Sequence, residues 1–176
     1  MNVIGGSLKG KKLIAAKWRW LRPTRQIVKK SLFDAIGEIK GLNFLDLYSG
    51  TGSIGIESSS RGAIATMVDC SANAIKIITE NVAICKLADS VKIEQKTAER
   101  FLDACKERFD IVFIDPPYDI PVYKLENIIK KVGEVMKKTE KALVILEYSK
   151  PYKSEFAETV KSRPFGNTVL NFLKFR

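Results

Sequence analysis

Residues 46–55 read Asp46-Leu47-Tyr48-Ser49-Gly50-Thr51-Gly52-Ser53-Ile54-Gly55. Gly50, Gly52 and Gly55 match G-x-G-x-x-G. The apolar run 44–48 before them reads as a strand, and a helical pattern follows near 53–61. Glycines there permit a tight turn and let a ligand approach the backbone closely. A strand, a glycine loop and a helix in that order suit either a dinucleotide or S-adenosylmethionine. Asp46, four residues before the first glycine, favours the second. A carboxylate there can reach the ammonium of an amino-acid-bearing ligand, directly or through water. A dinucleotide offers no cation and sets its pyrophosphate on the helix N-terminus. Asp46 can equally cap the turn or helix.

Beyond this unit, apolar runs recur at 63–68, 91–93, 111–114 and 142–146, with helical patterns near 71–86, 97–107 and 121–137 between them. Short apolar strands alternating with helices imply an α/β fold, a parallel sheet covered on both faces. Segments 159–165 and 168–175 read as two strands joined through Gly166-Asn167, a hairpin. The expected sheet is seven-stranded, mostly parallel, with an antiparallel C-terminal hairpin. Ligands of such sheets bind at the carboxyl ends of the strands.

Three further motifs fall at those ends. Asp69, 23 residues after Asp46, closes the second strand, where a carboxylate binds ribose hydroxyls or caps the next helix. Cys70 beside it reads as a small buried side chain rather than a reactive thiol. After the third strand, the Thr97 hydroxyl or the Ala98 backbone can meet an adenine edge, or Thr97 can serve as an N-cap. The fourth strand runs into Asp115-Pro116-Pro117-Tyr118. Two prolines fix the backbone and remove two N–H donors, and Asp115 adds an acceptor-only carboxylate. An aromatic amine that donates its two N–H groups to the Asp115 carboxylate and the Pro116 carbonyl can pyramidalise and aim its lone pair at a methyl donor. Tyr118 would stack on the base. A proline-rich turn with an aromatic lid is the alternative.

Composition limits the chemistry. The chain has 176 residues and no histidine, which excludes imidazole bases and histidine metal sites. Cys70, Cys85 and Cys105 are widely spaced, so neither a disulfide framework nor a zinc site is expected. No metal is expected. No apolar stretch approaches the length of a membrane span, and no secretory h-region stands at the N-terminus, so a cytoplasmic protein without membrane contact is expected. The net charge of +10 is concentrated. Nine basic residues, among them Lys9, Lys11, Lys12, Arg19, Arg22 and Arg25, precede the first acid, Asp34. The rest of the chain holds 21 basic and 20 acidic side chains. An acid-free basic segment suits a phosphate backbone, although a solvated surface or a transit peptide would share its composition. The segment is expected to form strands at 2–4 and 12–16, then a helix from the cap Thr24 to about Ile36. That helix would present Ile27, Val28, Leu32 and Ile36 as its apolar face and end at Gly37 or Gly41. Residues 1–40 thus form a basic hairpin and helix, and 41–176 the core of one domain.

Together these residues resemble the bacterial 16S rRNA guanine-N2 methyltransferases of the RsmD type, over nearly the whole chain. Ile4-Gly5-Gly6-Ser7-Leu8-Lys9-Gly10-Lys11-Lys12-Leu13 is similar to that family's opening hairpin, and Leu21-Arg22-Pro23-Thr24 to its R-P-T signature. Asp46 through Ala63, ending in Ser60-Arg61-Gly62-Ala63, is similar to its cofactor loop, and Phe109 through Tyr118 to its catalytic strand. The resemblance implies a Rossmann-like class I methyltransferase that takes S-adenosylmethionine as cofactor and acts, as a monomer, on a guanine amino group in the small ribosomal subunit. It also implies that the basic segment faces RNA, with Trp18 and Trp20 stacking on bases or packing in the hairpin. The chain departs from the family pattern at Gln26, Ile27 and Lys30, where Asp, Arg and Glu are usual, and at Thr97, where Asp or Asn is common. Those positions bear on RNA docking and adenine contact. The D-P-P-Y run alone also suits adenine N6 or a protein amide, and the fold alone suits a non-catalytic RNA-binding assembly factor. An oxidoreductase using NAD has only the glycine loop in its favour.

Overall fold

The computed structural model describes residues 1–15 and 26–175. Five parallel strands are β1 (Asn43–Leu47), β2 (Ile64–Asp69), β3 (Val91–Gln95), β4 (Ile111–Ile114) and β5 (Leu143–Tyr148). The antiparallel strands β6 (Glu158–Phe165) and β7 (Thr168–Lys174) complete a sheet of order β3-β2-β1-β4-β5-β7-β6. The order reverses between β1 and β4, the switch point at which such sheets open a crevice. The expected hairpin turns through Gly166, whose φ of 62° at the first central position is what a II′ turn requires.

Helices α1 (Gln26–Ile36), α2 (Ser53–Ser60) and α3 (Ala72–Cys85) cover one face, and α4 (Ala98–Ala104) and α5 (Val122–Val135) the other. Each face is fed by alternate strand residues. Phe44, Ile111, Phe113 and Ile145 pack on α1 and α2, while Leu45, Leu47, Val112 and Ile114 pack on α4 and α5. α2 is buried along its whole length. Gly55 lets it approach the sheet, because a Cβ there would meet Met67 Cγ at 2.4 Å.

Two expectations for the N-terminal segment are corrected. The paired strands shrink to one antiparallel bridge, Asn2 with Lys12, around a 3₁₀ turn at Gly6–Leu8. The Lys-rich, glycine-punctuated sequence leaves little to pair. On α1, Val28, Lys29, Leu32 and Phe33 are buried, whereas Ile27 is 63% exposed. The buried stripe turns away from Ile27 because Lys29 has an acidic partner inside. Its Nζ lies 3.4 Å from Glu57 Oε2 and donates to the Asn2 carbonyl and Ser53 Oγ. Burial lowers the Lys29 pKa, and Glu57 opposes that shift. Gly37, at φ 71°, closes α1 by donating its N–H to the Phe33 carbonyl. Thr24, the expected cap, and Ala16 lie outside the described residues, as do Arg19, Arg22, Arg25, Trp18 and Trp20.

The N-terminal segment docks on α2 through motifs far apart in sequence. Ser60 Oγ donates to the Gly5 carbonyl at 2.6 Å and accepts from Leu8 N–H at 2.9 Å. A Cβ on Gly6, whose φ is 72°, would meet the Ser60 carbonyl oxygen at 1.9 Å, so this close approach demands glycine. Asn81 of α3 accepts from Ile14 N–H and donates to the carbonyls of Ile14 and Thr51, which ties the same segment to the glycine loop.

Candidate active site

Past the carboxyl ends of β1 and β2, a pocket of about 280 Å³ opens between the α4 start and the segment before α5. Tyr48, Asp69, Cys70, Thr97 and Ala98, all expected at a cofactor site, line it. Sequence reasoning missed Val68, Lys96, Glu99 and the wall that Ile120, Pro121 and Lys124 form beyond Pro117 of the expected D-P-P-Y run. The wall's signal was present in the prolines, but nothing in the sequence showed which way the segment turns after Pro117.

The glycine loop is built from the end of β1. Tyr48 has a φ of 63°, a left-handed conformation costly for a bulky residue. Burial raises the Tyr48 hydroxyl pKa, and the nearby Glu99 charge adds to this. Ser49 is turned inward. Its hydroxyl donates to the Asp46 carbonyl at 2.6 Å and accepts from Val68 N–H at 2.9 Å, stapling the loop to β2. Its side chain therefore serves the loop's shape. Gly50, at φ 56°, donates its N–H to Asp69 Oδ2 at 2.9 Å.

Asp69 and Thr97 each had two readings. Ser71, not Asp69, is the side-chain cap of α3, accepting from Ala74 N–H, so the half-buried Asp69 carboxylate braces the loop and faces the pocket. Thr97 caps α4 by accepting from Arg100 N–H at 3.3 Å. This leaves the N–H of Ala98, first residue of α4, outside the helical bonding pattern, as the first N–H groups of any helix are. Cys70 is exposed on the pocket rim rather than buried, because β2 has ended one residue earlier.

Asp46 is 1% exposed, and its Oδ2 accepts from Gly55 N–H at 3.0 Å, the capping reading. Burial pushes its carboxyl up to about 7; the Gly55 bond opposes the shift and the Asp69 charge adds to it. An acid whose folded pKa lies above its unfolded value of about 3.9 contributes stability that is lost as pH rises through the folded pKa. Between those two values, the protein should lose stability relative to Asp46→Asn by at most about 1.4 kcal/mol per pH unit. Urea unfolding of both proteins at pH 5, 6 and 7 measures this, and parallel curves would refute the assignment.

Asp115 and Pro116 lie beside, not in, the pocket wall, with Pro116 buried and Tyr118 42% exposed. Asp115 continues β4 and donates its N–H to the Leu47 carbonyl. Burial raises its pKa well above the carboxylate range, and the charges of Glu147 and Asp46 add to this. Among the described residues, no helix is long and apolar enough to cross a membrane, and no three His, Cys, Asp or Glu side chains converge as a metal site would need.

This geometry has relatives. The family model described as "Conserved hypothetical protein 95" matches residues 1–174. The chain belongs to that family. It is 34% identical over 165 residues to the "Putative rRNA methyltransferase YlbH" of Bacillus subtilis, covering 91% of this chain and 88% of that one. It is 32% identical over 120 residues to the "Ribosomal RNA small subunit methyltransferase D" of Escherichia coli strain K12, covering 67% of this chain and 60% of that one. The solved "Putative methyltransferase yhhF" of Escherichia coli superposes with a TM-score of 0.84 at 26% identity, covering 100% of this chain and 98% of that one. The fold and the family are those of S-adenosylmethionine-dependent methyltransferases, with the mostly parallel sheet expected from the strand pattern and the Rossmann-like class implied by the resemblance.

Proposed function

We propose that the protein methylates the exocyclic N2 amino group of a guanine in small-subunit rRNA. The observation that carries this reading is the placement of Asp115-Pro116 at the sheet's switch point, between the glycine loop after β1 and the end of β5. The Escherichia coli relative named for the small ribosomal subunit supports the choice of RNA.

The pocket residues fit the cofactor. Asp69 offers a carboxylate to ribose hydroxyls, the Ala98 N–H offers a donor to a base edge, and Ile120 and Pro121 offer apolar cover. Gly50 and Gly52, both at positive φ, bring the backbone close to the ligand, and the buried Asp46 holds the loop beneath it. When bound, S-adenosylmethionine supplies a methyl group already activated on a sulfonium, so the chain need only align the acceptor. Asp115 and the Pro116 carbonyl accept the two N–H groups of the guanine amine and turn its lone pair out of the ring. Tyr118 covers the base. Alignment of this kind can supply about 7–11 kcal/mol of the barrier. The exposed Lys9, Lys11 and Lys12 stand ready for phosphates on the N-terminal segment. Arg19, Arg22 and Arg25 complete the basic stretch of sequence.

Incubation with tritiated S-adenosylmethionine and small subunits lacking this methylation should label one guanine, mapped by digestion. Label on adenine would move the reading to N6 chemistry. Absence of cofactor binding by calorimetry would leave a non-catalytic RNA-binding protein.

A further inference from the structure

Glu147 lies in β5 directly after Leu143–Leu146, all apolar, and is 5% exposed. β4 and β5 pair in parallel register up to Ile114 with Leu146, so Asp115 and Glu147 are the next neighbours across the two strands. Adjacent strands lie about 4.8 Å apart, and registered residues of parallel strands share a face. Glu147 Oε1 accepts from the Thr168 hydroxyl on β7 at 3.1 Å. Its Oε2 is buried without a hydrogen-bond partner among the described residues. A buried carboxylate oxygen left in that state is costly, whereas a protonated one is a donor in need of an acceptor.

Among the described residues, no cation accounts for the pair. Of the charged groups on α1, Lys29 is committed to Asn2, Ser53 and Glu57, and Lys30 pairs with Asp34 in solvent. Arg163 on β6 donates to Ser31 and lies over the Phe172 ring. From β1 the facing group is Asp46, another acid, two residues along that face of the sheet. The acids do not form a metal site among the described residues.

We propose that Glu147 is a positioning residue that holds one proton and donates it from Oε2 to the Asp115 carboxylate. This rests on Asp115 being the amino-binding group of the proposed reaction. The shared proton turns one Asp115 oxygen toward β5 and leaves the other for the substrate N–H. It also lets two acids sit side by side without two like charges facing each other. Desolvation of the buried Glu147 and the half-buried Asp115 raises both pKa values, which favours one proton kept between the two carboxyls.

Protein labelled with ¹³C at the glutamate carboxyl should show, by NMR, one glutamate still protonated at pH 7. It should be absent in Glu147→Gln, and its titration midpoint should fall in Asp115→Asn. Glu147→Gln keeps a donor, so its kcat at pH 7 should stay within about threefold of wild type, while the loss of kcat at alkaline pH that accompanies departure of the shared proton should vanish. Glu147→Ala, which has no donor, should lower kcat at least tenfold with unchanged affinity for S-adenosylmethionine. The proposal is overturned if every glutamate titrates in the ordinary carboxylate range, if Asp115→Asn leaves the Glu147 midpoint in place, or if Glu147→Gln keeps the wild-type pH profile. The NMR titration needs no methyl acceptor, so it separates failure of this pairing from failure of the guanine assignment.

Discussion

Asp115→Ala is expected to reduce kcat for methyl transfer by about 10²–10³-fold, the usual loss when one aligned hydrogen-bonding group is removed from a buried reaction centre. Affinity for S-adenosylmethionine should change little, because Asp115 does not line the pocket that Asp69 and Ala98 share. Stability should hold or rise. The substitution removes a half-buried acid whose neighbours, Glu147 and Asp46, are themselves acids. The activity loss therefore cannot be assigned to unfolding. Single-turnover kinetics with saturating cofactor, together with a thermal melt, tests both halves. Transfer at more than a tenth of the wild-type rate would remove Asp115 from the amino site. A collapse in Tm would show instead that its carboxyl supports the sheet end.

The parts of the molecule legible in sequence are those where a local pattern has one physical solution. Four apolar residues, Ile111 to Ile114, between polar flanks had to be a buried strand, and the expected and observed limits coincide. The glycine loop was legible because positive φ at Gly50 and Gly52 is a backbone requirement written as a residue type. Illegible were the features made by pairing across the fold. Lys29 reads as a surface residue until Glu57 is seen 28 positions away, and that pairing turned the α1 stripe away from Ile27. Glu147 carried a signal, an acid at the end of an apolar run, yet the strand seemed complete at Leu146. Only the β4–β5 register brings it beside Asp115. The Cys70 expectation failed for a similar reason, since burial was inferred from residue type and β2 stops at Asp69.

The largest stability effect is expected at Glu57, which is 0% exposed. Its Oε2 accepts from Ile4 N–H at 2.8 Å and faces Lys29, and its Oε1 accepts from Arg61 Nε at 3.0 Å. Arg61 in turn lies over the Phe33 ring, 4.6 Å from its centroid. One carboxylate thus joins the N-terminal segment, α1 and the end of α2. Glu57→Ala leaves the Lys29 ammonium buried without its counter-charge and Ile4 N–H without an acceptor. Breaking a buried pair from one side costs about 3–5 kcal/mol. In a domain of this size that corresponds to a Tm lower by roughly 6–20 °C. Glu57→Gln keeps an acceptor for Ile4 and should lie between the two. A second readout follows from the location. Hydrogen exchange should rise first at Val3, Ile4, Leu8 and Leu13, whose N–H groups bond within or beneath the docked segment, and not at the central strand β4. Uniform acceleration across the sheet would mean that Glu57 supports the whole core. Selective loss at the N-terminal segment would mean that this carboxylate is needed, beside the Ser60 and Asn81 contacts, to hold the basic segment on the core.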